Sequence, residues 1–371
     1  MIQKFMVRKV VLLELNNIIF DNVFENLNQF IMRILLVSET YLDLYVPILQ
    51  EFKKQGHEVV FIPGDTLPSD THRVEMNPIN RCYKRIYNYI FDVYTNYWKA
   101  KFNEIPELNQ KFDYYIDIQG VTFCPYLLNR LKSMNPHIKS TLYIWDSSMI
   151  YDYFRNAKYF DKVLSFDFDD SKKYDYTEFL PIYWTPVNSD SGINCDLSIV
   201  GTDHDDRLRI VENIAKQAKA VGLKVDFRIY VKKPAFSTNP LIVVWRKISP
   251  KWKKIYNDYY KNIESEYVIT EKISVEEVQQ IMLSSRCVID TDIEKQTGVT
   301  PRLLWALAIG KKVITTNKDI VKMPFYNSAQ IKIVDRDNPI LDVDFVKEEK
   351  HFVPQQTIER LRIDRWINYL L

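Results

Sequence analysis

Short apolar runs recur along this chain between segments whose apolar residues follow helical spacing. In the first half these runs lie at 33–37, 58–62, 114–119, 140–146 and 162–167, and in the second half at 196–200, 225–231, 287–289, 313–316 and 329–335. The stretches 48–54, 205–221 and 275–283 have the periodicity of helices. Buried strands that alternate with helices are typical of parallel sheets covered on both faces. The pattern therefore predicts an α/β protein with parallel sheets.

A polar, turn-rich stretch at 184–194 interrupts this alternation and predicts a domain boundary. We place one domain at 32–186 and a second at 187–353, both of ordinary domain size. Residues 1–31 precede the first strand, and we interpret them as an extension upstream of the native start. The alternative is an amphipathic segment that packs on the body of the protein or on a membrane surface. Residues 354–371 are amphipathic and predict a C-terminal helix.

The stretch 287–317 has the clearest local pattern, a strand, a polar loop, a helix and another strand. Thr300 is a good N-cap residue, and Pro301 fits the first position of the helix. The N-terminus of a helix presents unpaired N–H groups, which bind phosphate. Gly298 would let the loop backbone approach such a phosphate closely, and Arg302 would add a charged fork. The alternative is an ordinary strand–helix–strand unit with a glycine turn.

This stretch resembles the donor-binding segment of GT-B glycosyltransferases, and most of all that of the CgeB-like group and related capsule and lipopolysaccharide transferases. There a Thr-Gly-x-x-x-Arg loop leads into an x-Glu-Ala-Leu-x-x-Gly-Lys-Lys-x-Ile-Thr-Thr-Asn run. The matching residues are Thr297, Gly298, Arg302, Ala306, Leu307, Gly310, Lys311, Lys312, Ile314, Thr315, Thr316 and Asn317. Trp305 replaces the glutamate that holds the donor ribose in the family, and Thr297 stands where the wider retaining group has a second acidic residue. The resemblance therefore implies no stereochemical course.

The resemblance implies a GT-B fold, in which two Rossmann-like, doubly wound parallel-sheet domains face each other across a cleft. Residues 32–186 would bind the acceptor and 187–353 the nucleotide-sugar donor, with 354–371 crossing back to the first domain. The donor diphosphate would be held by Gly201, Thr202, Arg207, Thr297, Gly298, Thr300 and Arg302. For Arg207 the alternative is a solvated helix residue. The nucleotide-sugar is a substrate, and neither a cofactor nor a metal is expected. Asp290-Thr-Asp292 looks metal-like, but we interpret it as the end of a strand.

Asp146 is the candidate catalytic residue on the acceptor side. It ends the apolar run 140–146, and ligands of open α/β sheets bind beyond the carboxyl ends of the strands. The run Trp-Asp-Ser that contains it also resembles the capsule-type transferases. An acceptor hydroxyl needs a base within hydrogen-bond reach, which a carboxylate provides. The alternative is that Asp146 caps the next helix.

Bulk composition excludes several classes of protein. The formal net charge is +2, so the chain has no overall basic character that would indicate a nucleic-acid partner. The 4 cysteines lack CxxC spacing, which predicts neither a zinc site nor a disulfide framework. No apolar run approaches the roughly 20 residues that span a bilayer. We therefore expect a cytoplasmic protein.

Two stretches, 80–105 and 232–262, interleave Lys and Arg with Tyr and Trp. Both patterns have ordinary interpretations, a helix packed on the sheet in the first case and an insertion between elements in the second. The alternative for the first is a surface that meets a membrane or a glycan acceptor. For the second, such a pattern could also bind single-stranded nucleic acid or anionic lipid at the inner face of the cell membrane, and a polysaccharide enzyme favours lipid.

The predicted function is transfer of a sugar from a nucleotide-activated donor to a capsule-type, lipopolysaccharide-type or other cell-surface glycan, free or lipid-linked. Two other hypotheses stay open, because a fold does not fix a reaction. One is a nucleotide-sugar epimerase or hydrolase on the same fold. The other is a non-catalytic scaffold, which Trp305 in place of the family glutamate favours.

Overall fold

The computed structural model describes residues 31–40, 43–187, 192–234, 240–294 and 296–371. The two interpretations of the N-terminal segment 1–31 concern residues that lie, except for the last, outside the described ranges. No helix in the described part of the chain is long and apolar enough to cross a membrane.

The first half of the chain forms a sheet of 6 parallel strands in the order β2-β1-β3-β4-β5-β6. Its strands are β1 Arg33–Ser38, β2 Glu58–Pro63, β3 Tyr114–Ile118, β4 Lys139–Ile144, β5 Lys162–Ser165 and β6 Glu178–Phe179. Strand β1 pairs with β2 on one side and with β3 on the other. The chain therefore reverses its winding direction at β1, which opens a crevice beyond the carboxyl ends of β1 and β3.

The second half repeats this design, with 6 parallel strands in the order β12-β11-β10-β7-β8-β9. Its strands are β7 Cys195–Thr202, β8 Val225–Tyr230, β9 Val268–Ile269, β10 Ser285–Asp290, β11 Lys312–Thr315 and β12 Ile331–Ile333. Strand β7 pairs with β8 on one side and β10 on the other, so the winding reverses between β7 and β10. The predicted α/β fold with two doubly wound parallel sheets is confirmed.

Helices connect the strands and cover the sheets. In the first half they are α1 Tyr45–Lys54, α2 Pro78–Phe91, α3 Val93–Glu104, α4 Pro125–Met134 and α5 Phe168–Lys173. In the second half they are α6 Arg207–Ala220, α7 Pro240–Ile248, α8 Pro250–Asn262, α9 Val275–Leu283, α10 Pro301–Ala308 and α11 Val343–Lys347. The C-terminal segment contributes α12 Gln356–Glu359 and α13 Ile363–Trp366.

One hydrophobic core joins the two halves. It contains Ile34 and Leu164 from the first sheet, Val299 and Leu303 from the segment that starts α10, and Trp366 from α13, all buried. Burial of apolar surface contributes roughly 25 cal/mol per Å², so this shared core stabilises the contact between the two halves.

The C-terminal segment differs from its prediction. Where the sequence predicts one amphipathic helix, the chain forms α12, α13 and a final 3₁₀ turn, Ile367–Leu370. The break has a tertiary cause, because Trp184 donates its backbone N–H to the carbonyl of Leu361 and accepts from the N–H of Ile363. The segment packs on the first half, where the indole N–H of Trp366 donates to the carbonyl of Pro181 at 2.8 Å.

The stretch 80–105 also differs from its sequence-based interpretation, because it forms two helices rather than one. They meet at Asp92, whose φ of 42° is left-handed. Helix α3 packs inward through Trp98 and Phe102, as the ordinary interpretation expects. Helix α2 has no buried residue at all, so the interpretation of a helix packed on the sheet does not describe it.

Candidate functional site

Two arginine side chains occupy the switch point of the second sheet. Arg302, from the first turn of α10, donates from Nε to the carbonyl of Val200 at 2.8 Å and from Nη1 to Asp290 at 3.0 Å. Arg207, from the first turn of α6, donates from Nε to the hydroxyl of Thr291 at 2.6 Å and from Nη2 to its carbonyl at 3.0 Å. Val200 is on β7 and Asp290 ends β10, so both guanidinium groups lie where ligands of doubly wound sheets bind.

Gly201 makes room for this pair. A Cβ at position 201 would overlap Nη2 of Arg302 and lie 3.2 Å from Nη1 of Arg207. Burial and the neighbouring Arg302 lower the pKa of Arg207 to about 10. The two cations therefore repel each other in a poorly solvated place, and an anion bound between them would relieve that cost. Within the described part of the chain, Nη2 of Arg302 has no hydrogen-bond partner.

Arg207 is buried, so the alternative of a solvated helix residue is wrong for it. Thr202 accepts a hydrogen bond from Arg207 through its backbone carbonyl. Thr300 caps α10 as the sequence predicts, because its hydroxyl oxygen accepts from the backbone N–H of Leu303 at 3.1 Å. The same hydroxyl donates to Asp290 at 2.6 Å, which fixes the carboxylate that holds Arg302.

The loop before α10 contacts the first domain. Thr297 donates its backbone N–H and its hydroxyl to the two oxygens of Asp167, at 3.0 and 2.7 Å. At Gly298 a Cβ would overlap the ring of Phe166, so the close approach that glycine permits here is to this side chain. The structure thus shows a contact between the domains at Gly298. That Thr297 and Gly298 bind the donor stays a prediction.

Asp146 lies between the domains just beyond β4. Its carboxylate accepts from the backbone N–H of Ser147 at 2.9 Å, from the hydroxyl of Tyr153 at 3.2 Å and from the side-chain amide of Gln296, in the second domain, at 2.5 Å. Burial raises the pKa of Asp146 despite these donors. The helix-cap alternative does not hold, since a 3₁₀ segment follows and its N-cap residue is Asp152.

Sequence reasoning missed a second carboxylate, that of Glu39. It directly follows β1 at the switch point of the first sheet. Burial, and to a smaller extent the charge of Asp146, raises the pKa of Glu39 to about 7. Its sequence signal is an acidic residue immediately after the first strand, which is the position that a doubly wound sheet presents to a ligand. Carboxylates with raised pKa values in a cleft are typical of functional sites.

Both carboxylates of the Asp290-Thr-Asp292 motif accept hydrogen bonds from arginine side chains. Asp290 accepts from Arg302, and Asp292 accepts from Arg336 at 3.0 Å. In the described ranges, no cluster of His, Cys, Asp and Glu side chains has the arrangement of a metal site. Strand β10 ends at Asp290, as the strand-end interpretation of the motif expects.

Trp305 is half-buried on α10, one turn after Arg302, and packs against the core shared by the domains. Its indole N–H is buried and finds no acceptor among the described residues. An unsatisfied buried donor costs about 1–3 kcal/mol. The side chain thus brings an unpaired donor to the helix that carries Arg302.

Comparison with known proteins supports the fold. No protein-family profile matches the chain, and no curated protein matches it. Among solved structures, the apo form of OtsA is similar with a TM-score of 0.51 and 11% identity over 91% of this chain and 98% of that one. The fold is GT-B.

Weaker likenesses come from two further structures of glycosyltransferases. A UDP-forming trehalose-phosphate synthase from Burkholderia xenovorans has a TM-score of 0.48 and 9% identity, over 91% of this chain and 98% of that one. UGT89C1 of Arabidopsis thaliana, in complex with UDP-L-rhamnose, has a TM-score of 0.47 and 7% identity, over 92% of this chain and 98% of that one. The finer resemblance, to capsule and lipopolysaccharide transferases, stays a prediction.

Proposed function

We propose that this protein transfers a sugar from a nucleoside diphosphate sugar to a glycan acceptor in the cleft between its domains. The observation that carries the proposal is the pair of guanidinium groups at the switch point of the second sheet, of which Arg207 is buried and Arg302 is partly buried. Asp146 stands on the other domain, held by Gln296 from the donor side. Cations on one side of a cleft and a carboxylate on the other are the groups that such a transfer needs.

The chemistry assigns each side a role. The acceptor oxygen forms a bond to the anomeric carbon of the sugar, and the bond from that carbon to the diphosphate oxygen breaks. Asp146 accepts the proton of the acceptor hydroxyl. Arg207 and Arg302 stabilise the negative charge that develops on the leaving diphosphate, which is an electrostatic contribution of several kcal/mol in comparable sites. Positioning of the two substrates by the two domains supplies the rest.

The finer parts of the proposal rest on the residues of 287–317. Their resemblance to capsule and lipopolysaccharide transferases favours a cell-surface or lipid-linked glycan as the acceptor, at the cytoplasmic side. We further propose that the reaction needs no metal, because Arg207, Arg302 and Arg336 provide cationic groups at the place where the diphosphate would lie.

The scaffold alternative has support in the site itself. Asp290 already neutralises Arg302, and Trp305 replaces the acidic residue of the family. A scaffold would bind no nucleotide, whereas both enzymes would, and an epimerase or hydrolase would turn over donor without a glycan. Thermal stability in the presence of UDP, GDP, CMP or dTDP compounds separates scaffold from enzyme, because a bound ligand raises the melting temperature.

Asp146→Asn tests the catalytic assignment. We expect the variant to fold, to keep the melting-temperature increase that the donor nucleotide gives, and to lose transfer by 10²-fold or more, since a base is removed (on the order of 10²–10⁴-fold). Release of nucleotide, followed by mass spectrometry with and without glycan, is the measurement. The control is Asp175→Asn, an exposed carboxylate on the same domain. Full transfer activity in Asp146→Asn would remove this residue from the mechanism.

A further inference from the structure

The turn that follows β3 contains a strained residue. Gln119 has a φ of 77°, in the left-handed region, and the following Gly120 has a φ of 63°. A residue other than glycine is uncommon in this region, and strained backbone of this kind concentrates at functional sites. Glycine would adopt the same conformation without strain. The shape of the turn therefore does not explain the glutamine at this position.

Two hydrogen bonds keep this turn in place. The backbone N–H of Gly120 donates to the buried carboxylate of Asp117 at 3.0 Å. The backbone N–H of Gln119 donates to the carbonyl of Tyr143, on β4, at 2.8 Å. Strained backbone persists only where the surrounding structure fixes it, as these contacts do here. The side chain of Gln119 consequently starts from a fixed point at the carboxyl end of β3.

The carboxamide of Gln119 has one anchored atom and one free atom. Its Oε1 accepts from the backbone N–H of Trp145 at 3.2 Å. This bond fixes the orientation of the group, because only the oxygen of a carboxamide accepts and the nitrogen Nε2 only donates. Gln119 is 1% exposed. Its Nε2 donates to no group in the described part of the chain, yet it is not sealed off from solvent, so this nitrogen is the atom that a ligand can reach.

Carboxylates follow the strands on both sides of Gln119. Strands β1 and β3 pair in parallel through their last residues, and Glu39 and Gln119 come next on the two strands. On the other side, Trp145, which Gln119 anchors, directly precedes Asp146. Ligands of doubly wound sheets bind beyond these carboxyl ends. The edge of the first sheet thus presents an amide donor next to two carboxylate acceptors.

This combination of groups selects the chemistry of the ligand. A hydroxyl accepts a hydrogen bond from an amide and donates one to a carboxylate, so it pairs with both kinds of group. An anionic oxygen would be repelled by the carboxylates. Burial, and then the charge of Asp146, raises the pKa of Glu39 more than the exposed Arg73 lowers it, so the cation does not reverse the acidic character of the site. An ammonium group would leave the amide unpaired. Adjacent hydroxyl groups of a sugar ring therefore match the site best.

We propose that Gln119 binds a hydroxyl oxygen of the acceptor sugar and positions a neighbouring hydroxyl of that sugar against Asp146. This inference rests on the proposed transfer and names the class of its acceptor, a sugar with free adjacent hydroxyl groups at the reacting end. A buried group that is built to hydrogen-bond a hydroxyl discriminates strongly against an analogue that lacks it, because the group is then left unpaired. Gln119 would thus contribute to the specificity for the acceptor.

Binding of simple sugars tests the proposal. The probe is a mixture of the methyl glycosides of glucose, galactose, mannose and N-acetylglucosamine, added to the full chain together with the nucleotide that raises its melting temperature most. We expect saturation-transfer difference NMR to show binding of at least one glycoside to wild type. Gln119→Glu keeps an oxygen for the N–H of Trp145 but lacks the amide donor, so it should bind that glycoside roughly tenfold more weakly. The matched control is Gln110→Glu, the same change at an exposed position of the same domain, which should bind as wild type does.

Gln119→Gly separates loss of the amide from addition of a charge. Glycine adopts a φ of 77° without strain, so this variant should fold and should bind the glycoside as weakly as Gln119→Glu. Wild-type affinity in either variant, or no glycoside binding by wild type, overturns the proposal. Displacement of the glycoside by inorganic phosphate while the nucleotide is bound would contradict the assignment of a hydroxyl.

The response to nucleotides distinguishes failure of this inference from failure of the transferase proposal. The melting-temperature increase that the nucleotide gives should be the same in Gln119→Gly and wild type, because Gln119 lies on the first domain and the arginine pair on the second. No increase in wild type would count against the transferase itself. A normal increase, together with equal glycoside binding by wild type and Gln119→Gly, would remove only Gln119 from the acceptor site.

Discussion

The position of Glu39 in the fold determines the pKa of its carboxyl group. Its position is fixed by β1, which carries it to the switch point of the first sheet. Burial raises its pKa to about 7, against 4.5 for an ordinary glutamate. The carboxyl group is thus poised to change its protonation state near neutral pH, beside the Asp146 that we propose as base.

Glu39→Gln should make stability less dependent on pH. The folded-state pKa lies above the unfolded value, so wild type is stabilised by a bound proton below pH 4.5 and loses that contribution as the pH rises through about 7. We expect the free energy of unfolding of Glu39→Gln, relative to wild type, to increase by about 3 kcal/mol between acidic and alkaline pH. Urea denaturation at a series of pH values measures this. Glu75→Gln, at an exposed position, should give a constant difference. The same constant difference for Glu39→Gln would contradict the assigned pKa.

The elements that the sequence predicts well are those with strong local signals. Helix α9 has the predicted bounds, Val275–Leu283, and Thr300 caps α10 as its position before Pro301 indicates. The break at Asp92 has no such signal, because neither Gly nor Pro marks it. The break in the C-terminal segment depends on Trp184, which is far away in the chain and therefore invisible to periodicity. In the candidate site, Arg302 is predicted from the local pattern of 287–317 and Arg207 from the family resemblance, whereas neither source predicts Gln296 or Glu39.

The loop before α10 is the element that couples the two domains. It carries Gln296 to Asp146, Thr297 to Asp167 and Gly298 to Phe166, all on the first domain. This loop of the second domain therefore touches the first domain through three successive residues. Movement of this loop on donor binding would be transmitted to Asp146 directly.

Gln296→Ala tests that coupling. The amide of Gln296 donates to the ionised carboxylate, so its loss should raise the pKa of Asp146. A hydrogen bond to a charged group contributes about 1.5–3 kcal/mol. We expect the acid limb of the pH profile of kcat/KM to move to higher pH. Gln110→Ala, at an exposed position, is the control. An unmoved acid limb in Gln296→Ala would show that the contact does not hold Asp146 in its active state.

At the scale of the whole molecule, the two sheets place their switch points on facing edges of one cleft. The first contributes Glu39 and Asp146, with raised pKa values, and the second contributes Arg207 and Arg302, both beside Gly201. The shared core and the loop before α10 hold the edges together. The GT-B fold, the arginine pair and the carboxylates are the features on which the proposed transfer depends.

The position of a bound nucleotide tests the account most directly. The experiment is a crystal structure of the protein with whichever nucleoside diphosphate raises its melting temperature most. We expect the pyrophosphate between β7 and β10, with its oxygens about 2.7–3.2 Å from guanidinium nitrogens of Arg302 and Arg207 beside Gly201. A nucleotide bound at any other edge of the second sheet, or a pyrophosphate that touches neither arginine, would contradict the account.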